Sequence, residues 1–278
     1  MIENINWYPG HMKKTRELIQ ENLKLVDLVV EVLDSRIPVS SRNPIINDLI
    51  QSKERFVVLN KADLADDNAT KAWVEYFKSQ GNYVMALNSN QGDGIKQMLK
   101  ALENIRDKNN EGRERKRPLR MMVVGIPNVG KSSLINRLTG KKAAKTGDKP
   151  GVTRGKQWLT LGEDMMLLDT PGILWPKFED PNVGANLAFC GSIKDEIMDL
   201  PTLGMELIGK LSDVAPNLLM TRYKIEKIED TPLLTMEAIA KKRGFIMSGN
   251  RFDYDRTAKT VLDEFRSSTI GKITLELV

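Results

Sequence analysis

Along the first two-thirds of the chain, short apolar runs alternate with stretches of helical periodicity. Residues 26–33, 55–59, 83–87 and 121–124 are short and rich in Val, Leu, Phe and Met, so each predicts a buried strand. Between them, residues 44–51, 68–78 and 93–105 predict helices, and another begins near Lys131, with Leu134, Ile135 and Leu138 on one face. Residues 157–161 and 165–168 read as paired strands around a Leu-Gly-Glu-Asp turn. Strands alternating with helices at this spacing predict an α/β fold with a mostly parallel sheet. From about residue 182 the pattern turns helical: Leu207, Leu211 and Val214 trace one face, residues 236–240 a second and 261–265 a third. We therefore expect an α/β domain over residues 1–177, including an aromatic, turn-prone N-terminal segment at 7–12, and a small all-helical domain over 178–278.

Two segments lack apolar periodicity. Residues 107–118 are dense in charge and read as a surface linker; residues 140–156 are rich in Lys and Gly and read as a mobile loop. The length of 278 residues fits two domains at about 150 residues each. A formal charge of +5 and a pI near 9.1 permit a polyanionic partner without demanding one. The single cysteine, Cys190, excludes an internal disulfide and a multi-cysteine metal site, and reads as a small buried hydrophobe suited to a reducing cytoplasm. No apolar run reaches membrane-spanning length, and polar residues such as Asn4, Asn6, His11 and Lys13 interrupt any signal-peptide core, so we expect a cytoplasmic protein.

The chemistry begins at residues 125–132, G-I-P-N-V-G-K-S, which fit the phosphate-loop pattern G-x-x-x-x-G-K-[ST]. In such a loop the backbone N–H groups of Asn128, Val129, Gly130, Lys131, Ser132 and Ser133 close around phosphate oxygens. Lys131 reaches the outer phosphates and the Ser132 hydroxyl ligates magnesium. A buried strand before the loop and a helix after it supply the expected context. Residues 60–63, N-K-A-D, follow another buried strand. The Asp63 carboxylate can accept from the N1–H and N2 amine of guanine, which adenine lacks; Asn60 can meet the other edge of the base, and the Lys61 stem can cover its ring. The loop at Ser89 and Asn90 is a partial match to a third base-contacting motif, and a plain polar loop remains an equal reading. Thr153 offers a second hydroxyl for magnesium; in D-T-P-G at 169–172, Asp169 would hold magnesium through water and the Gly172 N–H would sense a γ-phosphate.

The base motif precedes the phosphate loop, the reverse of the usual guanine-nucleotide switch. Joining the old termini and cutting elsewhere preserves the sheet, so the order indicates a circularly permuted P-loop GTPase domain. Together with W-Y-P-G-H-M at 7–12, D-S-R-I-P at 34–38, S-S-R-N-P at 40–44, D-T-P-G-I-L-W-P-K-F at 169–178 and K-R-G-F-I-M-S-G-N at 242–250, it resembles the ribosome biogenesis GTPase A (RbgA/YlqF) family. The resemblance implies a cytoplasmic GTPase that binds GTP/GDP and Mg2+, acts in late maturation of the large (50S) ribosomal subunit, is stimulated by that particle, and binds its rRNA through a small helical domain. A monomer is expected.

Ile173 stands where many GTPases place a water-orienting glutamine, so catalytic help must come from elsewhere. His11, the only histidine, is one candidate, with a structural role as the other reading. Asn128 is another: in similar phosphate loops this asparagine helps bind K+, whose charge would offset that developing between the β- and γ-phosphates, though it also reads as a plain polar loop residue. The alternative function is a GTP-gated ribosome- or RNA-binding module with negligible hydrolysis. Lys241, Lys242, Arg243, Arg251, Arg256, Lys259 and Arg266 are candidate RNA phosphate contacts, with solvated helix faces as the competing reading.

Overall fold

The computed structural model describes residues 17, 19–50, 53–140, 158–170 and 180–278. Six strands form one sheet in the order β3-β2-β1-β4-β6-β5: β1 (Leu28–Asp34), β2 (Glu54–Asn60), β3 (Tyr83–Ala86), β4 (Leu119–Val124), β5 (Trp158–Leu161) and β6 (Met165–Asp169). All neighbours are parallel except the β5–β6 hairpin at one edge. The helices are α1 (Pro44–Leu49), α2 (Asp67–Ser79), α3 (Ile95–Asn109) and α4 (Lys131–Thr139), followed beyond the sheet by α5 (Pro181–Phe189), α6 (Leu200–Val214), α7 (Pro216–Tyr223), α8 (Pro232–Arg243) and α9 (Tyr254–Arg266). The expected strands and helices are present, and α3 runs four residues further than the apolar pattern suggested, into the charged linker. Asn110 then closes a turn, accepting from the Arg117 N–H at 2.9 Å and donating to its carbonyl at 3.0 Å.

Helix starts follow from capping chemistry. Asn43 accepts from the Ile45 and Ile46 N–H groups before Pro44, Asp66 caps α2, Asp180 precedes Pro181, and Thr231 precedes Pro232. Alternation along β1 then builds the layers. Leu28, Val30 and Val32 face a large core with Met98, Leu102 and Ile105 of α3 and Leu134 and Ile135 of α4. On the opposite face Val29 packs with Ile19, Leu23 and Ile46, while Leu33 packs with Trp73 and Phe77 of α2. Between these two clusters sits Glu31, 1% exposed, which Arg55 and Arg42 neutralise at 3.2 and 3.4 Å. Burial pushes its carboxyl upward against the pull of Arg42.

Beyond the sheet, α6 and α9 cross closely because Gly204 has no side chain: a Cβ there would collide with Ala258. The expected all-helical region also carries a short antiparallel hairpin, β7 (Ile246–Met247) with β8 (Arg251–Phe252), too brief for the sequence pattern to reveal. Its last segment returns to the sheet domain: Ile273 N–H donates to the Leu64 carbonyl, Leu275 N–H to the Arg36 carbonyl, and the Trp73 indole to the Glu276 carbonyl. The expected boundary at 177/178 lies outside the described residues, as do His11, Thr153 and Gly172.

Candidate functional site: a nucleotide crevice

The chain runs outward from the central pair β1 and β4 in opposite directions, so the crevice beyond their carboxyl ends is the place where open α/β sheets bind ligands. The described motif residues gather there. Asp34 ends β1, Asn60 ends β2, Ser89 follows β3, the phosphate loop follows β4, and Asp169 ends β6. Positions far apart in sequence meet because parallel strands deliver all their carboxyl ends to one edge.

The phosphate loop is built around Gly130, in the left-handed region at φ 96°, which begins α4 without a side-chain cap. Its open N–H groups and the helix dipole suit an anion. A Cβ at Gly130 would collide with the Asn60 amide, so glycine is required there for space as well as conformation. Lys131 is buried and donates to the Ile126 carbonyl at 2.6 Å; burial pushes its ammonium down to about 8, against the opposing charge of Asp169. Burial also raises the Asp169 carboxyl, while Lys131 and the Thr170 N–H act to lower it. Val129 is buried, Ser132 and Ser133 are half-buried, and the Thr170 hydroxyl anchors β6 to the Val123 carbonyl. The Ser132 hydroxyl and Asp169 carboxylate are oxygen donors of the kind magnesium takes, so these residues fit that ion.

Asn60 joins the two halves of the crevice. Its amide donates to the Val129 carbonyl at 2.7 Å, and its side-chain oxygen accepts from the Ser89 N–H at 3.0 Å. Both ends of this 1% exposed side chain therefore hold loops, a use that motif chemistry did not foresee. Lys61 takes a left-handed backbone at φ 58° and reaches Asp34 at 2.9 Å; Asp63 is half-buried on the next turn.

Sequence reasoning missed Arg137, the roles of Asp34 and Arg36, and the Gly191 partner of the Asn128 side chain. Arg137 of α4 donates to the carbonyls of Ser89 and Asn90, so the helix behind the phosphate loop also shapes the base-side loop. Asp34 and Arg36 were visible as a motif but without a role. Asn128, exposed and at φ 62°, donates to the Gly191 carbonyl at 2.7 Å, tying the phosphate loop to the end of α5. Only the visible charges after buried β1 could have pointed to Asp34 and Arg36; Arg137 and Gly191 carry no local signal.

Of the candidate RNA contacts, Arg243 and Arg266 are engaged internally, and Lys242 reaches Glu226 at 4.0 Å. Arg243 pairs with Glu264 and lies over the Tyr223 ring, and Arg266 holds Asp195 together with the Ala188 and Phe189 carbonyls. Lys241, Lys242, Arg251, Arg256 and Lys259 are exposed, and Arg256 lies over the Phe245 ring.

A phosphate loop on the central strand, joined to a base-type turn supplied by an earlier strand, defines a circularly permuted P-loop GTPase. Residues 120–235 match the family model described as 50S ribosome-binding GTPase. Ribosome biogenesis GTPase A of Bacillus cereus is 47% identical, with 98% of this chain and 93% of that protein covered. Its counterpart in Thermotoga maritima is 32% identical, covering 98% of this chain and 94% of that protein. The crystal structure of GNP-bound YlqF from T. maritima superposes with a TM-score of 0.70 at 30% identity, over 95% of this chain and 98% of that one. The chain belongs to the ribosome biogenesis GTPase A family. It is therefore a GTP-hydrolysing enzyme of ribosome biogenesis.

Proposed function

We propose that this GTPase is an assembly factor for late maturation of the large ribosomal subunit, which binds its rRNA through the C-terminal helical domain and leaves after hydrolysis. The observation that carries this reading is the Asn128–Gly191 hydrogen bond, because it joins the phosphate loop to the region bearing Lys241, Lys242 and Arg251. A change at the phosphates thus has a direct route to an RNA-facing surface. The exposed cations are a suitable electrostatic footprint for phosphate contacts.

Hydrolysis proceeds by positioning and charge stabilisation. Lys131 and the first N–H groups of α4 hold the phosphates, and Asp63 reads guanine while Lys61 covers its ring. Ser132, Asp169 and Thr153 would hold magnesium, which would supply charge neutralisation, and Gly172 would sense the γ-phosphate. His11 orients water in place of the absent glutamine. Among the described residues the Asn128 side-chain oxygen has no protein partner, leaving it free for K+. The enzyme acts as a cytoplasmic monomer, slow alone and stimulated by the particle.

Multiple-turnover phosphate release tests the reading, in K+ against Na+, with and without immature large subunits, for wild type and His11→Ala. Stimulation by the subunit that depends on K+ and His11 is expected. Turnover that stays negligible with subunits present would favour the GTP-gated binding module instead.

A further inference from the structure

Directly behind the base turn lies a buried charge relay that the nucleotide chemistry above does not use. Asp34 is 0% exposed and Arg36 is 1% exposed. Arg36 grips both carboxylate oxygens of Asp34, Nε to Oδ1 at 2.9 Å and Nη2 to Oδ2 at 2.7 Å, and the Lys61 ammonium reaches the same Oδ2 at 2.9 Å. The next residue completes the grip: the Ser35 N–H and hydroxyl both donate to the Asn60 carbonyl, at 2.9 and 2.7 Å. The base turn therefore sits on the last residue of β1 and the two that follow it.

On its far side Arg36 meets the helical region. Its guanidinium lies 5.4 Å from the Phe265 ring centroid, and Nη1 points to the Arg266 carbonyl at 3.4 Å. The Arg266 side chain in turn holds the Ala188 and Phe189 carbonyls at 2.8 and 2.9 Å, at the end of α5. Beside them is Gly191, whose carbonyl accepts from Asn128 of the phosphate loop. The helical region thus touches the crevice at both its base end and its phosphate end.

We propose that Asp34 and Arg36 are positioning residues for the guanine turn, and that Arg36 couples the seating of Lys61 to the docking of α9. This rests on the reading of residues 60–63 as the guanine-binding turn. A lysine stem free in solution loses many rotamers when it covers a base, whereas one already held by a fixed carboxylate loses few. Asp34 is fixed only while Arg36 grips both its oxygens, and Arg36 is shielded from water only while Phe265 and the chain around Arg266 cover it. Docking of α9 therefore pre-orders Lys61, and by reciprocity an occupied guanine site favours docking. An isolated structural ion pair would stabilise the fold without this dependence on Lys61.

The test is a double-mutant cycle on GDP affinity in the full chain, with a thiol readout of docking. Cys190, 4% exposed, caps the end of α5 beside Gly191, so its modification by a disulfide reagent reports opening at this junction. Arg36→Met is expected to weaken GDP binding about tenfold in the wild-type background and to have no further effect in Lys61→Met. Saturating GDP should slow Cys190 modification in the wild type; Lys61→Met and Arg36→Met should lose that protection, and Arg36→Lys should keep part of it. If Arg36→Met does not fold, Lys61→Met, altered at a partly buried position, still decides the matter through Cys190. Additive effects of the two substitutions, or full GDP protection of Cys190 in Lys61→Met, would overturn the coupling. Asp63→Asn separates the two levels: unchanged GDP affinity there would remove the guanine-turn reading itself, whereas a large loss there with an unchanged Arg36→Met would remove only the coupling.

Discussion

Lys131 shows how function can cost stability at a single residue. Its ammonium is buried against a carbonyl, and burial pushes it down to about 8. Replacing a buried, poorly compensated charge by an apolar side chain of similar shape is often neutral or stabilising. We therefore expect Lys131→Met to leave the urea midpoint unchanged or higher, while GTP turnover falls by at least about 100-fold, the scale seen when one preorganised charge-stabilising donor is removed. Paired unfolding and phosphate-release measurements check both halves. Asp34 behaves oppositely. Although burial opposes it, the neighbouring Arg36 and Lys61 hold its carboxyl well below the usual range. A depressed carboxyl contributes stability that is full above its unfolded value, near about 3.9, and drains away as pH falls toward the lower folded value. Asp34→Asn, which leaves the buried Arg36 and the partly buried Lys61 without their anion, should cost about 3–5 kcal/mol at pH 7. The gap from wild type should narrow between pH 4 and pH 2 in urea melts; a gap that widens there would contradict the assignment.

At the scale of elements, β1 is the pivot, because every side chain along it is buried and it feeds both faces of the sheet. Its apolar run was legible as a buried strand, but the pairing of the buried Glu31 within it was not: one carboxylate in an apolar run says nothing of Arg42 and Arg55 arriving from elsewhere. The same holds for helix contacts. The apolar faces of α6 and α9 could be read from spacing, while their crossing depends on Gly204 lying against Ala258. Gly204→Ala should push these helices apart and lower the unfolding free energy by about 1–3 kcal/mol, measurable by denaturant titration. Capping is by contrast local: Asn43, Asp66, Asp180 and Thr231 act on N–H groups two or three positions away.

For the whole molecule, the C-terminal strap joins what the sequence pattern separates. The Glu276 carboxylate accepts from the backbone N–H groups of Val39 and Ser40, from the Ser40 hydroxyl and from the Asn186 amide. One side chain thus links the loop after β1, α5 and the chain's last segment. Glu276→Ala should cost about 1–3 kcal/mol by leaving buried donors unpaired. Hydrogen exchange should locate the change, with faster exchange at Val39 and Ser40 than at the β4 amides. The sequence by itself determined the strand–helix alternation, the phosphate loop, the guanine-type turn and their permuted order, because each depends on residue types at short fixed spacings. Only the tertiary structure decided that Asn60 bridges the two loops, that Arg137 shapes the base-side loop, and that Asn128 and Arg36 reach the helical region. Those bonds join residues tens to hundreds of positions apart, and no local pattern records which distant carbonyl a side chain will meet once the parallel strands bring their ends together.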